Sequence, residues 1–271
     1  MSTMHSPLGM RLLATVIAAL GMGALVSGVA SVPSAGAATP APQHYLCYQA
    51  AAKSGFKVPQ GIRLVNALAP NGFVPTIGPA NVHCNPALKV VPGARFPITS
   101  PTWHFLGWAI AAEQPSATVT ATNQFGTAML VTKAPTELLV PSWKSLTGPP
   151  NQQPTAPPGE DHYTCYPVSY VAGAPKFSAP APVMVRDEFG SALTTVKVGS
   201  PKTLCVPTEK ILPTGLTFPI NNPNLNYVCF KVSKTPVKSP VFDENQFGQG
   251  KVTVTVTQKL CVPTTLASST G

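Results

Sequence analysis

Histidine stands three residues before cysteine in "HYLCY" (44 to 48) and in "HYTCY" (162 to 166), and His83 adjoins Cys84 in "HCNPALK". His-x-x-Cys is a zinc-ligand spacing, provided the thiols are reduced and free to ionise. The two residue types do not travel together here. "NYVCF" (226 to 230) has Asn226 in the histidine position and keeps its cysteine. "HFLGW" (104 to 108) keeps His104 but has Gly107 in the cysteine position. Ligands of one ion would be lost as a set, so no metal site is expected.

The acidic pairs Asp187–Glu188 and Asp243–Glu244 could serve calcium, which wants roughly six to eight oxygens, several of them charged. The matching stretch Asn123–Gln124 carries no charge, so a turn explains all three better. There is no G-x-S-x-G, no H-E-x-x-H and no phosphate-cradling glycine loop. The nine carboxylates are scattered, and a glycosidase pair has no local signal. The most distinctive residues recur along the chain, whereas a catalytic constellation is needed once. We expect no catalytic residue, no cofactor and no enzyme.

The recurrence sets the architecture. The copy at 162–210 reads "HYTCYPV", "VMVRDEFGSALTTVKV", "LCVPTEK". The copy at 226–264 reads "NYVCFKV", "FDENQFGQGKVTVTV", "LCVPT". The copy at 104–144 reads "HFLGW", "ATVTATNQFGTAMLVTK", "LLVPSWK", with Leu139 in the place of the second cysteine. The first copy, 44–89, opens on "HYLCY" and closes on "HCNPALK", with "LAPNGFV" as a degraded turn between them. Gly107 and Leu139 have lost cysteine together, as partners would. The implied bridges are Cys47–Cys84, Cys165–Cys205 and Cys229–Cys261, one of many pairings that six cysteines allow. Each would stabilise by about 3 to 4 kcal/mol through loop closure.

"KVTVTVTQK" (251 to 259) places Val252, Val254 and Val256 on one strand face, and "ATVTAT" (117 to 122) alternates likewise. "NQFG" and "DEFG" predict hairpins centred near Phe125, Phe189 and Phe247. "CYQAAAKSGF" reads as a short helix or turn. The fold class is therefore all-β: tandem disulfide-stapled repeats, four copies, packed in pairs as β-sandwich-like domains. Residues 44–144 form one pair and 162–266 the other, with a single continuous four-repeat stack as the alternative. "SLTGPPNQQPTAPPGED" (145 to 161), with five prolines, is the linker between them.

All three tryptophans, Trp103, Trp108 and Trp143, fall in the copy without cysteine. They either pack in place of the missing bridge or form an aromatic platform for a ligand such as a sugar ring.

The order His-x-x-Cys-Tyr-x-Val, Asp-x-Phe-Gly, Leu-Cys-x-Pro-x-x-Lys resembles a repeat module of secreted bacterial proteins of unassigned function. His162 to Lys210 carries it best, Asn226 to Thr264 well, and the first two copies more weakly. The resemblance implies an extracellular β-module and brings no activity with it.

Arg11 followed by the uncharged run Leu12–Val26 and by "AGAA" (35 to 38) has the layout of a secretory signal peptide over residues 1–37. The run is shorter than the roughly 20 residues that span a bilayer, so no integral membrane association is expected after cleavage. Residues 38–43 are then an N-terminal tail. Cleavage removes Arg11 and no acid, which leaves a net charge of +8. A basic chain without a Lys/Arg run suits cell-wall polymer or acidic polysaccharide rather than nucleic acid. The first expectation is a secreted protein with a non-catalytic binding or structural role at the cell surface or matrix. Carbohydrate binding through the tryptophans is the second, and an extracellular hydrolase the third.

Overall fold

Each copy supplies two long strands bearing the cysteine positions, with a hairpin between them. The first has β1 (His44–Ala52), β2 (Arg63–Asn66), β3 (Ala69–Phe73) and β4 (Thr76–Val91), then the short β5 (Ala94–Phe96). The second has β6 (His104–Ala111), β7 (Thr118–Asn123), β8 (Gly126–Thr132) and β9 (Glu137–Ser145). The third has β10 (His162–Tyr170), β11 (Val183–Arg186), β12 (Thr194–Val196) and β13 (Val198–Ile211), then β14 (Thr217–Phe218). The fourth has β15 (Asn226–Val232), β16 (Pro236–Asn245) and β17 (Gly248–Ala267). This computed structural model describes residues 42–52, 55–154 and 156–267, and those residues are all-β. The signal-peptide reading of residues 1–37 lies outside them.

The long strands pair in a closed cycle. β1 pairs with β4, β4 with β6, β6 with β9, β9 with β10, β10 with β13, β13 with β15 and β15 with β17. β17 returns to β1, and every ladder is antiparallel. The result is an eight-stranded barrel, whose bore is narrow enough for side chains to fill. The expected division into two sandwich-like pairs on either side of 145–161 meets a different arrangement. Ladders β9·β10 and β17·β1 join the two halves, and residues Pro40–Gly271 make one compact unit. Two separate sheets would leave unpaired strand edges, and closure removes them.

Disulfides and aromatic rings fill the bore. Cys47–Cys84, Cys165–Cys205 and Cys229–Cys261 each join residues directly opposite in a ladder. All six cysteines are at most 2 % exposed. Sulfurs of neighbouring bridges approach within 3.6 Å (Cys47 to Cys261) and 3.8 Å (Cys205 to Cys229). Two residues earlier on the opening strands, Tyr45, Phe105, Tyr163 and Tyr227 form a ring of four. Their centroids lie 4.9 to 5.5 Å apart around the circuit, tilted or edge-on, the geometry that aromatic quadrupoles favour. On the other side of the bridges Lys259 Nζ donates to both carboxylate oxygens of Glu137, at 2.7 and 2.9 Å, across the bore.

The packing also explains the missing bridge. Gly107 faces Leu139 in the β6·β9 ladder, as Cys165 faces Cys205. A Cβ on residue 107 would sit 3.0 Å from Leu139 Cδ2 and 3.0 Å from Val82 Cβ. Leu139 thus fills the sulfurs' room and glycine yields to it. The expectation that the tryptophans replace the bridge does not hold, because Trp108 lies on the outer face of β6 with Leu106 and Ile110, in a different apolar cluster from Phe105 and Leu139.

The opening strands are buried along both faces, as the five buried residues of "HYLCY" show. One face lines the bore and the other lies under a hairpin, so alternation vanishes. "CYQAA" accordingly continues β1 to Ala52 instead of turning or coiling. In β17, Val252 and Val254 are buried, but Val256 is not and Thr257 is. Bulges against β1 shift the phase there, which corrects the single face expected for the three valines.

The hairpins cross over to support distant copies. β2 pairs with β13, β11 with β4, β7 with β17 and β16 with β9. Their turns share one device. The side-chain Oδ1 of Asn66, Asn123, Asp187 and Asn245 accepts from the backbone N–H two residues on, at 2.8 to 3.0 Å, an Asx turn. In the first copy the turn is therefore Asn66–Ala69, "NALA", and not the "PNGF" of the sequence reading. Asn71 and Gly72 fall within β3.

Candidate functional site

Three positions recur around the outside of the barrel and meet. The first is the residue opening each copy: His44, His104, His162 and Asn226. The second lies five residues after the second cysteine position: Lys89, Lys144, Lys210 and Leu266. The third follows the Asx residue of each turn: Ala67, Gln124, Glu188 and Gln246. The strands of one copy receive the turn of the next, and the ring order returns the first copy's turn to the fourth. The sets are His44, Lys89 and Gln124; His104, Lys144 and Glu188; His162, Lys210 and Gln246. Asn226, Leu266 and Ala67 line one shallow pocket and form the fourth set.

Lys89 and Lys210 are 0 % exposed, and the Lys144 side chain 1 %. Aromatic faces take the place of water. Lys89 Nζ lies 4.4 Å from the Phe96 centroid and 4.8 Å from Phe125. Lys210 Nζ lies 4.4 Å from Phe218 and 4.6 Å from Phe247, and Lys144 Nζ 4.4 Å from Phe189. Burial pushes each of these amines down to about 7. For Lys144, Asp243 and Asp187 pull the other way. Burial, and secondarily the adjacent lysine, holds His44 down to about 3 and keeps His104 and His162 well below the ordinary imidazole range. These histidines are neutral and the lysines stand near the point of losing their proton.

The surroundings of each set differ. Gln246 Oε1 receives His162 Nε2 at 2.9 Å and is in contact with Lys210 Nζ. Gln124 turns to His44, and Lys89 Nζ has no hydrogen-bond partner among the described residues. Lys144 is ion-paired with Glu188 and donates to Asn85 Oδ1 at 2.8 Å. The same oxygen faces His83 Nε2 at 2.8 Å and His104 Nδ1 at 3.2 Å. Asn85 Nδ2 donates to Asp187 Oδ2 at 2.9 Å, Tyr48 OH donates to the same oxygen at 2.8 Å, and His83 Nδ1 meets Asp243 Oδ2 at 3.1 Å. Both side chains of the His83–Asp243 pair are fully buried. Among the described residues no group of three His, Cys, Asp or Glu side chains is placed to hold a metal ion.

The tryptophans do not converge. Trp108 is 4 % exposed and wedged edge-on between Phe56 and Phe247, each at 5.4 Å, so its ring faces no ligand. Trp103 and Trp143 are half-buried and flank the end of the β6·β9 ladder, next to the His104–Ser142 pair. Trp143 Nε1 donates to Pro154 O at 2.7 Å. That bond ties down the 145–161 segment, expected as the linker between the two pairs, at its proline-rich centre. Asp161 accepts from the backbone N–H groups of Asn221 and Asn222 at 2.6 and 2.8 Å, and Gln152 N–H donates to Glu244 at 2.8 Å.

From the same segment Glu160 enters the tyrosine end of the bore. Tyr45 OH donates to its Oε1 at 2.8 Å, while Oε2 has no partner among the described residues. Burial raises this carboxyl well above its ordinary range, against the Tyr45 bond that lowers it. A raised native pKa means the unfolded chain ionises first, so stability falls as pH climbs past 4.5. Glu160→Gln keeps an acceptor for Tyr45 and removes the charge. Thermal melts from about pH 4 to about pH 7 should show the variant gaining on the parent as pH rises. Parallel melting curves would place Glu160 in contact with water.

The lysine column closes the sequence motif as "PALK", "PSWK" and "PTEK", yet a lysine five residues beyond a strand centre reads as surface charge. Only the loss of histidine, lysine and glutamine together, at Asn226, Leu266 and Ala67, marks the three as a set. That signal needs the inter-copy docking to be seen.

No curated protein and no solved structure matches this chain. A family model described as a repeat of unknown function, DUF7450, matches residues 102–263, the second copy to the fourth. The match takes in six of the eight barrel strands and the three later turns, and the chain belongs to this family of repeats of unknown function.

Proposed function

We propose that the protein is a secreted, non-catalytic module with a binding or structural role at the cell surface or in the extracellular matrix, and that acidic polymer is its partner. One observation carries the reading. Of the nine acidic residues, Glu137, Glu160, Asp161, Asp187, Asp243 and Glu244 are buried. Burial of Lys89, Lys144, Lys210 and Lys259 removes fewer cations, so the exterior is more one-sidedly basic than composition alone suggests. Such a surface gathers polyanions over a Debye length and releases them in salt. Three bridges sealed in the core suit an oxidising compartment, and a filled bore offers no lumen to a substrate.

The test is retention of residues 38–271 on wall material from the producing organism. Binding at low salt that is lost at high salt is the expected result. Binding that survives high salt points to the second reading, carbohydrate recognition, which the partial exposure of Trp103 and Trp143 favours. In that case Trp143→Phe should abolish the fluorescence change on adding polysaccharide, while Trp108→Phe should leave it. No retention at either salt removes the wall from consideration.

A further inference from the structure

We propose that the side chains of Lys210 and Gln246 become joined by an isopeptide bond, formed by the folded chain on itself. The first support is co-occurrence. Where the turn offers Gln or Glu, the copy that receives it keeps a buried lysine and a histidine, and at least one of the two meets the turn residue. Where the turn offers Ala67, the lysine position is Leu266 and the histidine position Asn226. A lysine kept for packing alone would not need to leave with the amide.

The second support is geometry. Lys210 Nζ is in hydrogen-bond contact with Gln246 Oε1, the oxygen carried by the carboxamide carbon Cδ, so amine and carboxamide are already neighbours. His162 Nε2 sits 2.9 Å from the same oxygen. The amine is fully buried, with Phe218 and Phe247 at 4.4 and 4.6 Å, and burial holds it near 7, so much of it is the neutral nucleophile. Nζ attacks Cδ. Neutral His162, with its proton on Nε2, donates to the oxygen as negative charge develops there. One amine proton passes to the departing Nε2 of Gln246, the Cδ–Nε2 bond breaks, and ammonia leaves. A new Nζ–Cδ amide remains, with no oxidant or co-reactant required. Holding the partners in contact makes the attack intramolecular and offsets part of the barrier that amide resonance and the poor amine leaving group impose.

The two other sets that keep histidine and lysine lack one element each. Glu188 presents Lys144 with a carboxylate, which resists attack by an amine and stays an ion pair. Gln124 is turned to His44 and not to Lys89.

The test is a tryptic digest of the reduced, alkylated full-length secreted protein, read by mass spectrometry. A bonded Lys210 resists cleavage, so the expected product is one branched species. It joins residues 203–231 to residues 239–251 and weighs one ammonia less than their sum. Recovery of linear 203–210 and 239–251 at full mass overturns the proposal, and so does a missing ammonia confined to either linear peptide. Gln246→Glu, which copies the Lys144–Glu188 pair, should fold and yield only linear peptides. His162→Asn, which copies Asn226, should lower the linked fraction at matched times by roughly tenfold or more. Unchanged linking in that variant overturns the part given to His162.

Discussion

Lys259→Met should destabilise the protein by about 3 to 5 kcal/mol, because it leaves the Glu137 carboxylate buried in the bore with no counter-charge. Both residues are nearly sealed from water, at 3 % and 6 % exposure, and the pair is bidentate. Against a typical total of about 5 to 15 kcal/mol, this is a large share. The melting temperature should fall by roughly 10 °C. Glu137→Val with Lys259→Thr should recover much of the loss. Those residue types already stand at the same barrel level, as Val82 and Thr203, two residues before the second cysteine of their copies. Chemical denaturation of the single and double variants checks both statements. A loss under about 1 kcal/mol in the single variant would mean that water reaches this level of the bore.

The second large effect is the addition of a bridge. Gly107→Cys with Leu139→Cys should form a fourth disulfide, since the two positions face each other as the native cysteine pairs do. The closed loop would match that of Cys229–Cys261, a separation of 32 residues. The expected gain is about 3 to 4 kcal/mol, reduced by whatever shift Val82 must make, its Cβ being 3.0 Å from the new one. Gly107→Cys alone should cost about 1 to 3 kcal/mol, because the leucine still occupies the space. Absence of titratable thiol in denaturant shows the bond. A higher unfolding midpoint that disappears on reduction assigns the gain to it.

The two predictions differ in how far their residues could be read from sequence. The paired loss of cysteine at Gly107 and Leu139 is visible in a line of text, because each copy keeps its own strand pair and the columns align. Leu139 as the filler is not, since nothing in "LLVPS" says which leucine faces inward. The Glu137–Lys259 pair is invisible in sequence. It joins copies two and four across the bore, and neither residue recurs. The same limit hid the barrel. Four of the eight ladders run between copies, and an opening strand such as "HYLCY", buried on both faces, has no alternation to show its orientation. In the first copy, asparagine with glycine in "PNGF" drew attention from Asn66, whose turn contains no glycine and is specified by a side-chain hydrogen bond. The buried lysines read as surface charge in sequence, although their column closes the motif.

Ring closure bears on how the chain must be built in time. The final ladder joins β1 to β17, with Tyr45 opposite Cys261, so the earliest strand waits for the latest. Each disulfide spans 32 to 40 residues and lies within one copy, so oxidation can proceed copy by copy as the chain is completed. Until β17 emerges, however, the nascent sheet has two open edges, one on β1 and one on the strand most recently added. Such edges recruit other strands, and contacts this distant in sequence form slowly. A chain cut short before residue 248 would therefore close Cys47–Cys84 and Cys165–Cys205, hold Cys229 without Cys261, and stay exposed to mispairing with its neighbours. The interval before the ring closes, rather than the finished fold, is where this protein is most vulnerable.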